Sequence, residues 1–266
     1  MNPLAVIRER RELLANLVKR ELKIRYRGSV LGFLWTLLIP LFMAIIYVGF
    51  LRLMAGRGVP LAEIIIGVFA WQFTVQCVNS GLHSITGNTN LVKKVYLPRF
   101  ILPLSATLAN TINYLLSLVV QFAILLVLLA LAGQTLSPWT LALPAVLALQ
   151  FVFNLALALL MASSNVYLRD TEHLVGVGLS AWFFVSPVMY NLSFVERLAG
   201  DHPWLLHAYL LNPIAVITTG YRAALLPDAT FPWSPAVLVA IAGCFALLVV
   251  AYRNFQRLQR DFADLL

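Results

Sequence analysis

Uncharged polar side chains recur at helical spacing inside the long apolar stretches of this chain. One stretch carries four of them at positions i, i+4, i+7 and i+11: Gln72, Gln76, Asn79 and His83. The next stretch repeats the pattern, and a third has a weaker version: Thr107, Asn110, Tyr114, Ser117 and Gln121, then Gln150, Asn154 and Asn165. Such spacing places each set on one face of a helix. Because lipid cannot satisfy amides and hydroxyls, each face must contact another helix or line a wet path.

Two interpretations suit these faces. One is hydrogen bonding between helices, and the other is a path for a hydroxyl-rich polymer such as a polysaccharide. A polymer of that kind needs neutral donors and acceptors together with aromatic faces, whereas much fixed charge would hold it in place. The second interpretation predicts a substrate channel built from both residue types: Trp35, Phe42, Trp71, Gln72, Gln76, Asn79, Asn110, Tyr114, Ser117, Phe183, Phe184 and Tyr190.

Groups that perform catalysis are missing from the apolar stretches. Their interiors lack Asp, Glu, Lys and Arg, which argues against a proton relay. The four histidines have no zinc-like spacing, and both cysteines lie in apolar stretches where we expect them only to pack. Glycine never precedes lysine, so the phosphate-binding loop of an ATPase is absent. We therefore predict no catalytic residue and no metal site, and any pumping must draw its energy from a partner.

Composition places the chain in a membrane. It is 61% hydrophobic and only 11% charged, with a mean hydropathy of +0.86, which excludes an ordinary soluble domain. The 266 residues are interpreted as one all-α polytopic domain over 1–266, with no room for a second soluble module. Residues 1–29 are charged throughout, so we expect the first span, and not a cleavable signal peptide, to direct insertion.

Charge-free runs predict six transmembrane helices. The first run, Val30 to Leu51, has 22 residues, about 33 Å as a helix and enough to cross the hydrocarbon core. The predicted spans are 30–51, 61–85, 100–132, 139–165, 174–190 and 231–252. Residues 191–230 hold shorter apolar pieces interrupted by proline, which predicts re-entrant helices at the outer face. Residues 5–27 alternate cations with apolar residues and predict an amphipathic interface helix, which could anchor topology or attract a phosphate-bearing lipid.

Cation distribution predicts the orientation. An even number of spans leaves both termini on one side, and that side, with the segment at 90–103 and the link between spans four and five, carries 15 Lys and Arg. The opposite side carries 4. By the positive-inside rule, both termini and the 90–103 segment are cytoplasmic.

The basic segment at 90–103 is too short and too charged to enter a bilayer. In a helix, Leu91, Val95 and Tyr96 can face one way while Lys93, Lys94 and Arg99 face another, an arrangement suited to a soluble partner. The run Leu-Val-Lys-Lys-Val-Tyr-Leu-Pro-Arg, followed by Ile-Leu-Pro-Leu-Ser, resembles the coupling segment of permease subunits of ABC exporters for lipid-linked polysaccharides. The exporters of this group transport O-antigen, capsule or teichoic acid. The resemblance continues in Tyr26–Trp35, in Tyr167-Leu-Arg-Asp and in Trp182–Pro187.

That resemblance implies a homodimer of this chain with two copies of a separate ATPase subunit, in a bacterial inner membrane. The ATPase would bind ATP and Mg, and this chain would be no enzyme and hold no cofactor. The substrate would be a polyprenyl-diphosphate-linked glycan, with no role for nucleic acid. The ATPase-coupling residues would be Leu91, Val92, Lys93, Lys94, Val95, Tyr96, Leu97, Pro98 and Arg99, and the lipid-diphosphate entry would be formed by Arg25, Arg27, Gly28, Leu31 and Gly32.

Two rival functions stay open at this point. One is an ABC permease for drugs or glycolipids, which a narrow pore would favour. The other is a membrane-embedded polyprenyl-phosphate transferase, against which the missing acidic cluster argues. Among the polysaccharides, O-antigen is the prediction, but the residues do not separate it from capsule or teichoic acid.

Overall fold

A computed structural model describes residues 3–55, 60–95, 97–200 and 202–266. Within these ranges every regular element is a helix. The α-helices are α1 (Pro3–Glu9), α2 (Arg11–Tyr26), α3 (Leu34–Ala55), α4 (Leu61–His83), α5 (Thr89–Lys94), α6 (Ile101–Leu131), α7 (Leu143–Tyr167), α8 (Thr171–Val185), α9 (Leu192–Ala199), α10 (Pro203–Tyr209), α11 (Pro213–Leu225), α12 (Pro235–Leu258) and α13 (Phe262–Leu265). Short 3-10 turns occupy Thr86–Asn88, Pro138–Ala142 and Gln259–Asp261.

Four helical segments of the described residues are long and apolar enough to cross a membrane: Leu61–His83, Ile101–Leu131, Pro138–Tyr167 and Pro235–Leu265. They coincide with four of the predicted spans, and the chain is a polytopic membrane protein. The apolar part of α3, Leu34–Phe50, is shorter, and α8 has 15 residues.

The bundle is built around α4. Fourteen of its 23 residues are buried, and it packs against α7, α6, α3 and α11. Gly81 permits the closest of these approaches, because a Cβ atom added there would lie 2.5 Å from the Cα of Ala158 on α7. Small residues let helix backbones approach in this way, and close approach gains dispersion contacts where lipid offers no hydrophobic driving force.

Two large apolar clusters divide most of the core along the bundle, and a smaller third one lies between α11 and α12. The cluster at what we call the terminal end includes Leu17 on α2, Ile85 after α4, and Phe255 on α12. The cluster toward the opposite, far end includes Phe69 on α4 and Ile217 and Tyr221 on α11. Short helices close both ends, so each end of the bundle has its own set of positioning elements.

The interface region at 5–27 contains two helices where the sequence predicts one. The chain breaks at Arg10, whose φ of −103° and ψ of 24° interrupt the helical geometry between α1 and α2. Leu17 and Val18 are the buried residues of α2, and this helix packs against α6. The cations of α2 therefore remain at the surface, except for half-buried Arg20, and the apolar side of the helix packs against the bundle.

The region at 191–230 contains three short helices, α9, α10 and α11. Asn212 begins α11 by accepting a hydrogen bond from the backbone N–H of Ile214 at 3.0 Å, with Pro213 in the first helical position. Every residue of α11 from Ile214 to Leu225 is buried. This helix therefore belongs to the core and does not lie on the surface of the bundle.

Candidate functional site

The polar faces of α4 and α6 meet beside α3 in a small cleft of about 10 Å³, room for about one water molecule. Four predicted channel residues line it: Gln72, Gln76, Tyr114 and Ser117. The rings of Phe73 and Tyr114 stack across the two helices with centroids 4.4 Å apart and planes 8° from parallel. The two faces that sequence spacing singled out are thus brought together at one place.

The polar face of α6 is buried within the single chain. Asn110 is 0% exposed and donates its Nδ2 to the carbonyl oxygen of Gln76 at 3.2 Å. Ser117 is 2% exposed and donates to the carbonyl of Asn113, one turn earlier, at 2.9 Å. The Asn110 bond joins α6 to α4, as polar residues between membrane helices do, whereas the Ser117 bond stays within α6. Asn110 and Ser117 therefore face the packed interior of the chain.

The polar face of α4 is more open. Gln72 and Gln76 are half-buried, and Asn79 and His83 are exposed. Arg25 of α2 lies against this face, donating Nη1 to Oε1 of Gln76 and Nη2 to Oγ of Ser80, both at 3.2 Å. A predicted entry residue and a predicted channel residue are therefore direct neighbours.

The charge of Arg25 has no ion-pair partner among the described residues. Its two hydrogen-bond partners are neutral, and Arg25 itself is exposed. An arginine held by neutral groups keeps part of its five-donor fork and all of its charge for an anion. The position is suited to a phosphate or diphosphate arriving from the bilayer surface.

The turn after α2 depends on glycine. Gly28 and Gly32 have φ values of +77° and +46°, in the region where a side chain is strained, and Ser29 accepts a hydrogen bond from the backbone N–H of Gly32 at 3.0 Å. Tyr26 fastens this turn by donating to Oδ1 of Asn113 on α6 at 2.9 Å. Arg27 and Leu31 are exposed on the turn.

Four of the predicted aromatic residues are neighbours: the ring of Phe183 lies 5.3 Å from that of Phe184, and Tyr190 donates its hydroxyl to the carbonyl of Phe184 at 3.1 Å. Trp71 and Phe183 are buried and pack together between α4 and α8 with ring centroids 5.7 Å apart. Trp35 and Phe42 on α3 and Phe184 on α8 are exposed. Tyr190 is half-buried near the far end, where its hydroxyl accepts from Tyr209 at 3.1 Å. The single chain therefore brings four of these aromatic residues together, while Trp35 and Phe42 lie on α3.

The predicted coupling segment forms α5 and the extended stretch after it. Val92 is its buried residue, whereas Lys93, Lys94 and Val95 are exposed. Leu91, Leu97, Pro98 and Arg99 are half-buried, and Tyr96 lies outside the described residues. Packing has thus turned Val95 outward, although sequence spacing grouped it with Leu91. An exposed basic surface with one apolar residue remains available to a partner.

Sequence reasoning missed the role of Arg222, which it counted only as an outer cation. Arg222 is 3% exposed, and its guanidinium donates to the carbonyls of Glu63 on α4 and of Val188 and Tyr190 in the linker after α8. The Glu63 carboxylate lies 4.0 Å from its Nε. One side chain therefore joins α11, α4 and the linker. A cation inside the apolar run from Pro213 to Leu225 was the available signal.

Glycine makes room for this arginine cluster. A Cβ added at Gly67 would lie 2.4 Å from the carbonyl oxygen of Val188 and 3.0 Å from Nη2 of Arg222. A cavity of about 250 Å³ adjoins the cluster at the far end of the bundle. Its lining includes the carboxylates Glu63, Glu196 and Asp228.

The third polar face, on α7, serves helix packing. Gln150 donates to the carbonyl of Ala70 at 2.7 Å, and Asn165 donates to the carbonyl of Leu82 at 3.0 Å. Both acceptors belong to α4, so the amides join two spans. Among the described residues there is no group of three or more metal-ligating side chains.

Comparison with known proteins covers nearly the whole chain. The family model described as "ABC-2 type transporter" matches residues 12–226. The O-antigen export system permease protein RfbA of Myxococcus xanthus is 35% identical over 260 residues, which are 96% of this chain and 95% of that protein. The protein of the same name from Klebsiella pneumoniae is 27% identical over 258 residues, again 96% and 95% of the two chains.

Proposed function

We propose, from the premise that this chain belongs to the ABC-2 type transporter family, that it is the permease subunit of an ATP-driven exporter of O-antigen. The observation that carries the proposal is the similarity along almost the full length to relatives named as O-antigen export permeases. The geometry supports it, since a free cation lies beside neutral hydrogen-bonding groups, as a charged lipid carrying a neutral glycan would require.

Entry of the substrate is assigned to the turn between α2 and α3. The diphosphate of a polyprenyl-linked glycan would bind the guanidinium of Arg25, with exposed Arg27 raising the local positive potential. Gly28 and Gly32 permit the backbone conformation of the turn, because both have positive φ, which a residue with a side chain adopts only with strain. Leu31, exposed on the same turn, would contact the lipid chain.

The glycan path is assigned to the open face of α4. Gln72, Gln76 and Asn79 would exchange hydrogen bonds with sugar hydroxyls. Buried Asn110, Tyr114 and Ser117 would form the supporting wall behind them. The exposed aromatic residues Trp35, Phe42 and Phe184, with Trp71, Phe183 and Tyr190 behind them, would supply stacking faces once a second copy completes the channel.

We also propose six spans, with α3 and α8 crossing the membrane as members of the assembled dimer, and the terminal end in the cytoplasm of a bacterial cell. A separate ATPase subunit, which binds ATP and Mg, would engage the coupling segment. Lys93 and Lys94 face outward there, ready for an acidic surface, while Val95 offers an apolar contact.

Reconstitution tests this function. The chain would be purified with its ATPase subunit, placed in liposomes with lipid-linked O-antigen, and assayed for ATP-dependent transfer of glycan to the opposite leaflet. We expect transfer with ATP and none without it. ATP hydrolysis that ignores the glycan, with no transfer, would contradict the proposal.

A further inference from the structure

The segment after α12 folds back onto the bundle. Residues 259–266, which we name the hook, form a 3-10 turn at Gln259–Asp261 and then α13. Phe262 is 0% exposed, with its ring centroid 5.4 Å from that of Phe255 and 6.3 Å from that of Tyr167. It belongs to the same buried cluster as Val92 of the coupling segment and Phe100. The hook is therefore anchored by an aromatic side chain.

Polar contacts tie the hook to two other elements. Arg99, at the end of the coupling segment, donates Nη1 to the carbonyl of Gln259. Tyr167, in the last turn of α7, places its hydroxyl 2.9 Å from Oδ2 of Asp261 and 3.1 Å from the carbonyl of Leu258. The hydroxyl has one proton, and the carboxylate is the stronger acceptor. The hook thus bridges the coupling segment and the end of α7.

The coupling segment needs such support. Helix α5 has six residues and one buried side chain, Val92. A helix of this length is not stable by itself, because one or two hydrogen-bonded turns do not offset the cost of nucleation. Its packing contacts run to α13 and to the 3-10 turn at Thr86–Asn88. The hook therefore supplies a surface against which α5 packs.

We propose that the hook positions the coupling segment so that motion of the ATPase is transmitted to α4 and α6, and that Tyr167 and Asp261 are positioning residues for this step. The inference rests on the proposed function for its transport consequence. Loss of the Tyr167–Asp261 contact would leave the hook attached through Phe262 but freer to move. Part of each ATP-driven displacement would then move the hook and would not be transmitted to α4 and α6.

The variants that test this are Asp261→Ala and Tyr167→Phe, with Asp264→Ala as the matched control. Asp264 is exposed, lies on the same hook, and has no hydrogen bond or ion pair among the described residues. If the two residues act through their contact, the double variant Tyr167→Phe/Asp261→Ala should change hydrogen exchange and export no more than either single variant does.

The first readout uses the permease alone. Hydrogen–deuterium exchange at residues 91–95 should be about threefold faster in both single variants, as expected for loss of one hydrogen bond. It should be unchanged in Asp264→Ala. This measurement does not depend on what the chain transports, so its failure overturns the positioning role whatever becomes of the proposed function.

The second readout uses the complex with its ATPase and lipid-linked glycan extracted from the producing cells. Both single variants should hydrolyse ATP at nearly the wild-type rate but export about threefold less glycan per ATP. A merely structural role would lower the amount of folded complex and leave glycan exported per ATP unchanged. An unchanged amount of glycan exported per ATP, whether or not the amount of folded complex falls, would overturn the inference. Wild-type complex that exports no glycan would instead refute the proposed function.

Discussion

At the level of single residues, the proposed entry site can be tested at Arg25, because both of its hydrogen-bond partners are neutral. The change Arg25→Gln should leave the fold intact and raise the KM for lipid-linked glycan about tenfold, since a hydrogen bond to a charged group contributes about 1.5–3 kcal/mol. The control is Arg11→Gln, an exposed cation on the same helix. Steady-state transport in liposomes measures both. An equal effect in the two variants would show that general attraction to anionic lipid, and not a site, explains the cations.

Arg222 determines how the far end of the bundle is held. Replacing it by Met leaves the carbonyls of Val188 and Tyr190 without their donor, so Arg222→Met should lower the free energy of unfolding by about 3 kcal/mol. Arg222→Lys should recover only part of this, because an ammonium lacks the planar five-donor fork. Unfolding in detergent gives the measurement.

The control for Arg222 is Arg197→Met on α9, where the side chain is exposed. Its effect should fall within about 0.5 kcal/mol of zero. A small effect at position 222 as well would mean that water replaces the guanidinium at these carbonyls.

At the scale of the helix, the polar faces of α4 and α6 differ in role although they look alike in sequence. Asn110→Leu on buried α6 should cost about 0.6 kcal/mol of stability, the average for a polar contact between membrane helices, and export should follow the amount of folded protein. Asn79→Leu on the exposed face of α4 should leave folding unchanged and lower export per folded transporter.

These two variants are compared by quantifying folded protein by size-exclusion chromatography and export in the same cells. If Asn110→Leu lowers export more than it lowers folded protein, the path extends behind α4. If Asn79→Leu exports normally, the exposed face of α4 lies outside the path.

At the scale of the whole molecule, we predict the orientation from the 15 cations on one predicted side against 4 on the other. In a variant with Cys77 and Cys244 replaced by Ala, Arg197→Cys should react with an impermeant thiol reagent added outside intact cells. Lys93→Cys should react only after the cells are opened. Both positions are exposed in the single chain, and the permease would be expressed without its ATPase subunit so that docking does not cover Lys93. The reverse pattern would refute the cytoplasmic placement of the termini.

The sequence by itself determined the membrane character, four of the spans and the presence of short helices between 191 and 230. Those features depend on local quantities, namely the length of an apolar run, the position of proline and the spacing of polar residues along one helix. The break in the interface helix at Arg10 has no such local signal, since neither proline nor glycine stands there.

Only the tertiary structure decided which partner each polar group meets. Equal spacing on α4 and α6 gave no hint that Asn110 would be buried while Asn79 is exposed, because burial depends on where a third helix packs. Arg222 finds its acceptors 159 and 34 positions away along the chain, at Glu63 and Val188, so no local pattern contains them. The hook likewise meets Arg99 from a distance of 160 residues. Such contacts form only when the helices are assembled. The sequence does not mark these acceptors, because every residue has a backbone carbonyl.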